Sequence, residues 1–166
     1  MPLLRITAQV DALVAFSRST AGVSERAADL TPVFAAGVDP LFTREITAQF
    51  DTEGAHFGEP WAALEPSTLR KRARSGHGRG GILRDTDVLY DAFTNPFDSG
   101  AIRVVEPQFY ARGVSVPYYP FLHEGTSRMV ERPVVPPEIP PGLGEQIYAL
   151  LQDYILTGAV GAGGVA

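Results

Sequence analysis

The chain contains no cysteine, which removes disulfides, thiolate metal ligands and cysteine nucleophiles from consideration together. Assembly in a reducing cytosol is therefore chemically unproblematic. Histidine is scarce: His56, His77 and His123 are the only three, and no two stand at the i, i+4 spacing of a helical zinc site. His123-Glu124 opens like a zincin motif, but Gly125-Thr126-Ser127 follows and no second histidine arrives. Structural histidines are the better reading, and neither a metal nor another cofactor is expected. Long apolar runs are missing as well, with no window near the roughly 18 residues of a membrane span. The start, Met1-Pro2-Leu3-Leu4-Arg5, lacks the charged region and apolar core of a secretory signal. Neither secretion by a standard signal nor membrane insertion is expected.

Positive charge is in short supply overall. The formal net charge is −5, which argues against a surface that is basic all over, as a general DNA binder needs. The deficit is uneven. From Pro66 to Arg84 the chain carries Arg70, Lys71, Arg72, Arg74, Arg79 and Arg84 and no acidic residue, so this segment is electrostatically distinct.

What is present is an ordinary globular composition. With 166 residues, 45% hydrophobic and 20% charged, the chain fits one domain with its own core. We place that domain at residues 1–156 and a flexible Gly/Ala tail at 157–166. The 17 glycines and 14 prolines, nine of the prolines in the second half, predict turns and extended connections there.

Leu4-Arg5-Ile6-Thr7-Ala8-Gln9-Val10 alternates like a half-buried strand. Asp11 can cap a short helix containing Leu13, Val14 and Phe16 and ending near Gly22. Thr31-Pro32 and Asp39-Pro40 each set a capping side chain before a proline at the first helical position, marking two helix starts or one long helix bent at Pro40. From Pro40, Phe42, Ile46 and Phe50 form one apolar stripe, with Arg44, Glu45 and Gln49 elsewhere on the cylinder and an end near Gly54. Pro66 to Arg72 starts a further helix capped by Ser67 or Thr68. Its continuation, Ser75 to Gly81, is a basic Gly-rich loop, since ordering glycines costs backbone entropy.

Short strands are predicted at Val88–Thr94, Ala101–Val105 and Gly113–Tyr118, with turns at Asn95-Pro96 and Ser99-Gly100 between the first two. A proline-rich arm runs from Pro133 to Pro141. Leu143 to Leu156 reads as a final amphipathic helix, with Ile147, Leu150, Leu151 and Tyr154 at helical spacing. The fold class is α+β: N-terminal helices on a small, mainly antiparallel sheet, with the basic loop and proline arm projecting and a C-terminal helix.

Few side chains offer chemistry. Gly76, Gly78, Gly80 and Gly81 superficially suggest a phosphate-cradling loop, but the Gly-Lys-Ser/Thr ending and the strand-to-helix setting are missing. Arg70, Lys71, Arg72, Arg74 and Arg79 are candidates for contact with DNA phosphates or an acidic partner, against the plainer reading of a solvated loop. Trp61, the only tryptophan, is read as a core residue.

Several blocks have a recognisable order. Phe50, then Gly58-Glu59-Pro60-Trp61-Ala62-Ala63-Leu64, then Ser67-Thr68-Leu69, then Ile82-Leu83-Arg84-Asp85-Thr86 with Leu89, resembles the phage virion morphogenesis (tail completion) family. Its pattern is a Phe-ending helix, a Gly-x-x-Trp-x-x-Leu segment, a Thr-led basic stretch and an Ile-Leu-Arg-Asp-Thr-Gly-x-Leu block. Further on, Tyr118-Tyr119-Pro120-Phe121-Leu122-His123-Glu124-Gly125-Thr126, then Arg132-Pro133 and Pro136, resembles related phage tail-component or neck proteins. The resemblance spans Phe50 to Pro137. The family's Gly, Ser, Ala and Glu are replaced here by Asp87, Ala92, Tyr119 and His123. Asp87 is expected in a positive-φ turn, Arg84-Asp85-Thr86 as the turn into a central strand, and Arg132 as the anchor of the arm.

The resemblance implies a non-enzymatic virion protein of a tailed bacteriophage, assembled in the host cytoplasm. Its place would be the head–tail junction, as a neck or tail-completion subunit in a ring of its own copies, expected as a hexamer. Its neighbours would be connector or adaptor and tail-tube or terminator proteins, with genome DNA in the channel. The alternatives are a tail-terminator ring capping the tail tube and a nucleic-acid-binding module using the basic loop.

Overall fold

The computed structural model describes residues 20–76 and 80–160. The expected strand at Leu4–Val10 and the apolar residues Leu13, Val14 and Phe16 lie outside them, as do His77, Arg79 and residues 161–166. Helical structure does not end at Gly22 as expected: α1 covers residues 20–28.

A nearly continuous helical rod follows. It begins as α2 (Thr31–Val33), widens into a π-helical turn (Phe34–Val38) and continues as α3 (Asp39–Asp51). Of the two readings, the one long helix running through Pro40 is therefore the one observed, with a π-helical turn before the proline. Pro40 lacks the N–H that would bond the Ala36 carbonyl, and its ring crowds that carbonyl; widening the preceding turn relieves both. The Asp39 N–H accordingly reaches back to the Phe34 carbonyl. The two proposed caps fail. Asp29, not Thr31, caps the rod, its Oδ1 accepting from the Thr31 N–H at 3.0 Å, and Asp39 is buried in a tertiary cluster described below.

On α3, Ile46 and Phe50 are buried and Phe42 packs against the same core. Gln49, assigned to the outer face, is also buried, because a loop and the proline arm close over it. The helix ends in a Schellman motif: the Gly54 N–H bonds the Gln49 carbonyl at 2.9 Å and the Glu53 N–H that of Phe50 at 3.1 Å. Glu53 holds the left-handed position with φ 50°, and Gly54 follows at φ 101°.

α4 (Pro66–Arg74) begins directly on its proline, with neither Ser67 nor Thr68 capping it. Val88–Thr94, expected as a strand, is the helix α5. Its aromatic and β-branched residues suggest a strand, but Leu89, Ala92 and Phe93 are buried at i, i+3 and i+4, and α3 packs on them. Tertiary burial thus overrides local propensity. The turn at Arg84-Asp85-Thr86 consequently leads into a helix.

The sheet is a single hairpin among the described residues. β1 (Ala101–Glu106) matches its expected position, and β2 (Phe109–Val114) pairs antiparallel with it, Glu106 opposite Phe109 across the two-residue turn Pro107-Gln108. The predicted strand Gly113–Tyr118 is therefore displaced toward the C-terminus. Val114 and Val116 do face the core, but Val116 lies beyond the ladder. α5 packs against both strands.

α6 (Tyr119–Glu124) and a tight turn closed by the Thr126–Met129 bridge lead to the arm. The arm does not project. Val134 is fully buried and Val135 packs on the core. α7 (Pro141–Thr157) then lies on the α1–α2 end of the rod: Ile147, Leu150 and Leu151 are half-buried and Tyr154 is buried. The main core joins Ile46, Phe50, Trp61, Ile82, Leu89, Ala92, Phe93, Val116 and Val134. No helix is long and apolar enough to cross a membrane among the described residues.

Candidate functional site

Most of the blocks expected to form one motif set meet in the cluster around the Phe50–Trp61 contact, whose rings lie edge to face with centroids 5.7 Å apart; Ser67-Thr68-Leu69 does not, and Leu69 is 51% exposed. Leu64, Ile82, Leu83 and Leu89 join that cluster. Trp61 Nε1 donates to the Pro133 carbonyl at 2.9 Å, and Gln49 Nε2 donates to the same oxygen at 3.2 Å. Arg132, buried, donates from Nε and Nη2 to the Ala62 carbonyl at 3.1 and 2.9 Å. One tryptophan and one arginine thus splice the start of the arm to a loop some seventy residues earlier. Gly54 makes the fit possible, because a Cβ there would stand 2.6 Å from Trp61 Cδ1.

The Arg84 block is held by charge and ring contacts. Arg84 Nε donates to Asp87 at 2.8 Å, and its guanidinium lies 3.9 Å from the Tyr90 ring centroid. The Asp87 bond, the leading cause, raises the Arg84 pKa, overcoming partial burial. Asp87 takes the expected left-handed conformation, φ 56°, at the start of α5. Thr68 is half-buried, Thr86 and Thr126 are exposed, and Tyr118 is 44% exposed. Gly125 has φ 73°, with the Glu131 N–H and Met129 carbonyl filling the space of a Cβ.

The basic candidates divide. Arg70, Lys71 and Arg74 are exposed and, with Ser67 and Ser75, line one open concavity on α4. Arg74 stands four positions after Arg70 and three after Lys71, the spacings at which side chains are neighbours on a helix surface. Arg72 turns the other way and is buried: Nη1 donates to the Gly81 carbonyl at 2.9 Å, and Nε lies 3.3 Å from Asp85. Arg72 is therefore a structural residue bonded to Gly81 and Asp85, and the cations left exposed on α4 are Arg70, Lys71 and Arg74.

One cluster escaped the sequence reading. Asp39, 6% exposed, accepts from Arg103 Nε at 2.8 Å, from the Tyr110 hydroxyl at 2.7 Å and from Arg112 Nη1. Arg112 also donates to the Phe93 carbonyl at 2.7 Å. This ties the rod to both strands and to the end of α5. Burial works against the Asp39 carboxylate, but the bonds from Tyr110, Arg103 and Arg112 outweigh it and hold its pKa below the ordinary carboxylate value. Burial, then the Asp39 carboxylate, push the Tyr110 hydroxyl far up. The only signal in the sequence was Asp39 itself, which its neighbour Pro40 made look like a cap.

His56 bonds Glu45 at 2.7 Å and His123 bonds the Tyr119 hydroxyl at 3.2 Å. Among the described residues no three His, Cys, Asp or Glu side chains group as metal ligands would. The arrangement offers surfaces, a buried ionic joint and a spliced arm. No family model, no curated protein and no solved structure matches the chain.

Proposed function

We propose that this protein is a structural subunit of a tailed-phage virion, acting in a ring of its own copies at the head–tail junction as a neck or tail-completion protein, and we assign it no reaction. One observation carries the reading. Most of the separated blocks on which the resemblance rests share one packing cluster, joined where Trp61 meets Pro133 and Arg132 meets Ala62. An ordered set of short patterns that also packs together is a stronger pointer than the same patterns scattered over a surface. The test is deletion of the gene from a phage that carries it: unjoined heads and tails are expected, restored by the protein in trans. Normal infectious particles would exclude the assignment.

A second reading is favoured by the α4 face. Arg70, Lys71 and Arg74 place three exposed cations around one concavity in a chain of net charge −5. Local positive potential of this kind suits a phosphate backbone. The reading is compatible with a neck subunit whose α4 lines a DNA channel, and equally with a free-standing nucleic-acid-binding module.

A further inference from the structure

Residues 136–141, Pro-Pro-Glu-Ile-Pro-Pro, connect the body to α7. Before them the chain is anchored: Val134 is fully buried and Val135 packs on the core. Val135, Pro136, Ile139 and Pro140 each precede a proline, which confines them to extended conformations. Only Pro137 and Glu138 escape that restriction; the chain bends at residues 134–135, where it is anchored, and again at 137–138. Since the Pro137 ring fixes its own φ, the widest freedom between the body and the 17-residue helix lies in ψ of Pro137 and φ and ψ of Glu138.

The seat of that helix is small and separate from the main core. α7 contributes no residue to the large hydrophobic cluster. It sits on the rod through Leu150 over Gly37 and through the Tyr154 hydroxyl, which donates to the Asp29 carbonyl at 3.1 Å. Arg26 Nε and Nη2 donate to the Ile155 and Leu156 carbonyls at its C-terminal end, at 2.8 and 3.0 Å. Meanwhile Ile139 beside the hinge is 65% exposed, and Tyr148 and Leu156 on the helix are 67% and 58% exposed.

We propose that α7 is exchanged between copies of this chain, the helix of one copy seating on the α1–α2 and π-helical surface of the next. Every contact of the closed seat is reproduced in the exchanged one, so the seat itself favours neither state, and the hinge, the freedom lost on association and any new surface between the bodies decide between them. Straightening residues 137 and 138 lets the arm follow the extended path its other residues already favour, spanning about 19 Å at roughly 3.1 Å per residue. The exchange brings Ile139, Tyr148 and the outer side of α7 between two bodies, covering apolar surface that the closed chain leaves in water. Because the seat and the helix are different surfaces, the contact is head-to-tail and closes into a ring when its rotation allows. The inference goes beyond the neck reading and stands whether or not that reading holds.

The absence of native cysteine makes the test clean. Gly37→Cys and Leu150→Cys chains carrying different tags are co-expressed and treated with a short bismaleimide. Exchange yields a covalent product containing both tags. If only single chains result, while the G37C/L150C double variant cross-links within itself, the proposal is overturned. A second arm uses Glu138→Pro, which extends the proline restriction to residue 137 and disfavours the bend. Its mass by light scattering should be a multiple of the 17.8 kDa chain, with α7 still exchanged. A folded E138P monomer with α7 docked on its own body would also overturn the exchange.

Discussion

Asp39 and Arg112 form an ion pair whose two side chains are 8% and 1% exposed, which makes one carboxylate the joint between the helical rod and the hairpin. Removing one partner of a buried pair strands the other charge, a loss of about 3–5 kcal/mol. Asp39→Asn keeps the shape but removes the charge that faces Arg103 and Arg112. We expect it to lose stability in that range by urea denaturation followed through the single tryptophan. A change below about 1 kcal/mol would mean that the cluster contributes little.

The same cluster sets an acid limit. The folded pKa of Asp39 is lowered, because the bonds from Tyr110, Arg103 and Arg112 outweigh burial. Its contribution is therefore fully present above the unfolded carboxylate value of about 3.9 and is lost as pH falls through the lower folded value. The difference in stability between the native chain and Asp39→Asn should shrink across that acid window. A difference that stays constant from neutral pH to below the folded value would assign the acid limit to other groups. At the alkaline end the sign reverses. Burial pushes the Tyr119 hydroxyl up to about 12, so its contribution is present below about 10 and is lost as pH rises toward 12. Tyr119→Phe should flatten that part of the alkaline profile.

The backbone at α5 can be tested with two substitutions at one position. Asp87 sits at φ 56° and pairs with Arg84. Gly relieves the left-handed strain but loses an ion pair that is nearly half exposed, so Asp87→Gly should stay within about 1 kcal/mol of the native chain. Asp87→Ala keeps the strain and loses the pair, and should cost about 1–2 kcal/mol. Equal effects would remove φ from the explanation. At Gly54, φ 101° and the Trp61 ring 2.6 Å from a built Cβ combine. Gly54→Ala should therefore be far worse than either, with poor folding and a red-shifted, exposed tryptophan.

These positions show which parts of the fold were legible. The glycine-like backbone at Asp87 was legible because the resembling pattern has glycine at that position, and the anchoring role of Arg132 because it stands directly before Pro133 at the start of the arm. β1, the α3 stripe and α7 were legible because their apolar spacing is that of the observed element. α5 was misread: Val88, Tyr90, Phe93 and Thr94 favour a strand, while the deciding burial of Leu89, Ala92 and Phe93 comes from α3, some forty residues away. The Asp39 cluster was invisible for a related reason. Its partners Arg103, Tyr110 and Arg112 lie more than sixty residues on, and only the hairpin register brings the two arginines opposite each other. Arg72 vanished into a run of like charges until its helical position separated it from its neighbours.

That separation gives the basic face its sharpest test. Reversing Arg70, Lys71 and Arg74 to Glu removes the exposed triad while leaving the buried Arg72 bonds to Gly81 and Asp85 in place. If the triad meets three phosphates of duplex DNA, the slope of log affinity against log salt should fall by about 2.7, at roughly 0.9 per phosphate, with no change in urea midpoint. Arg72→Gln should do the reverse, lowering the midpoint while the slope stays near the native value, because its guanidinium faces the protein. Native protein that shows no binding at low salt would remove nucleic acid from the reading and leave the α4 face to an acidic protein surface. A triple variant that binds as tightly as the native chain, with the same slope, would place any DNA contact elsewhere on the molecule.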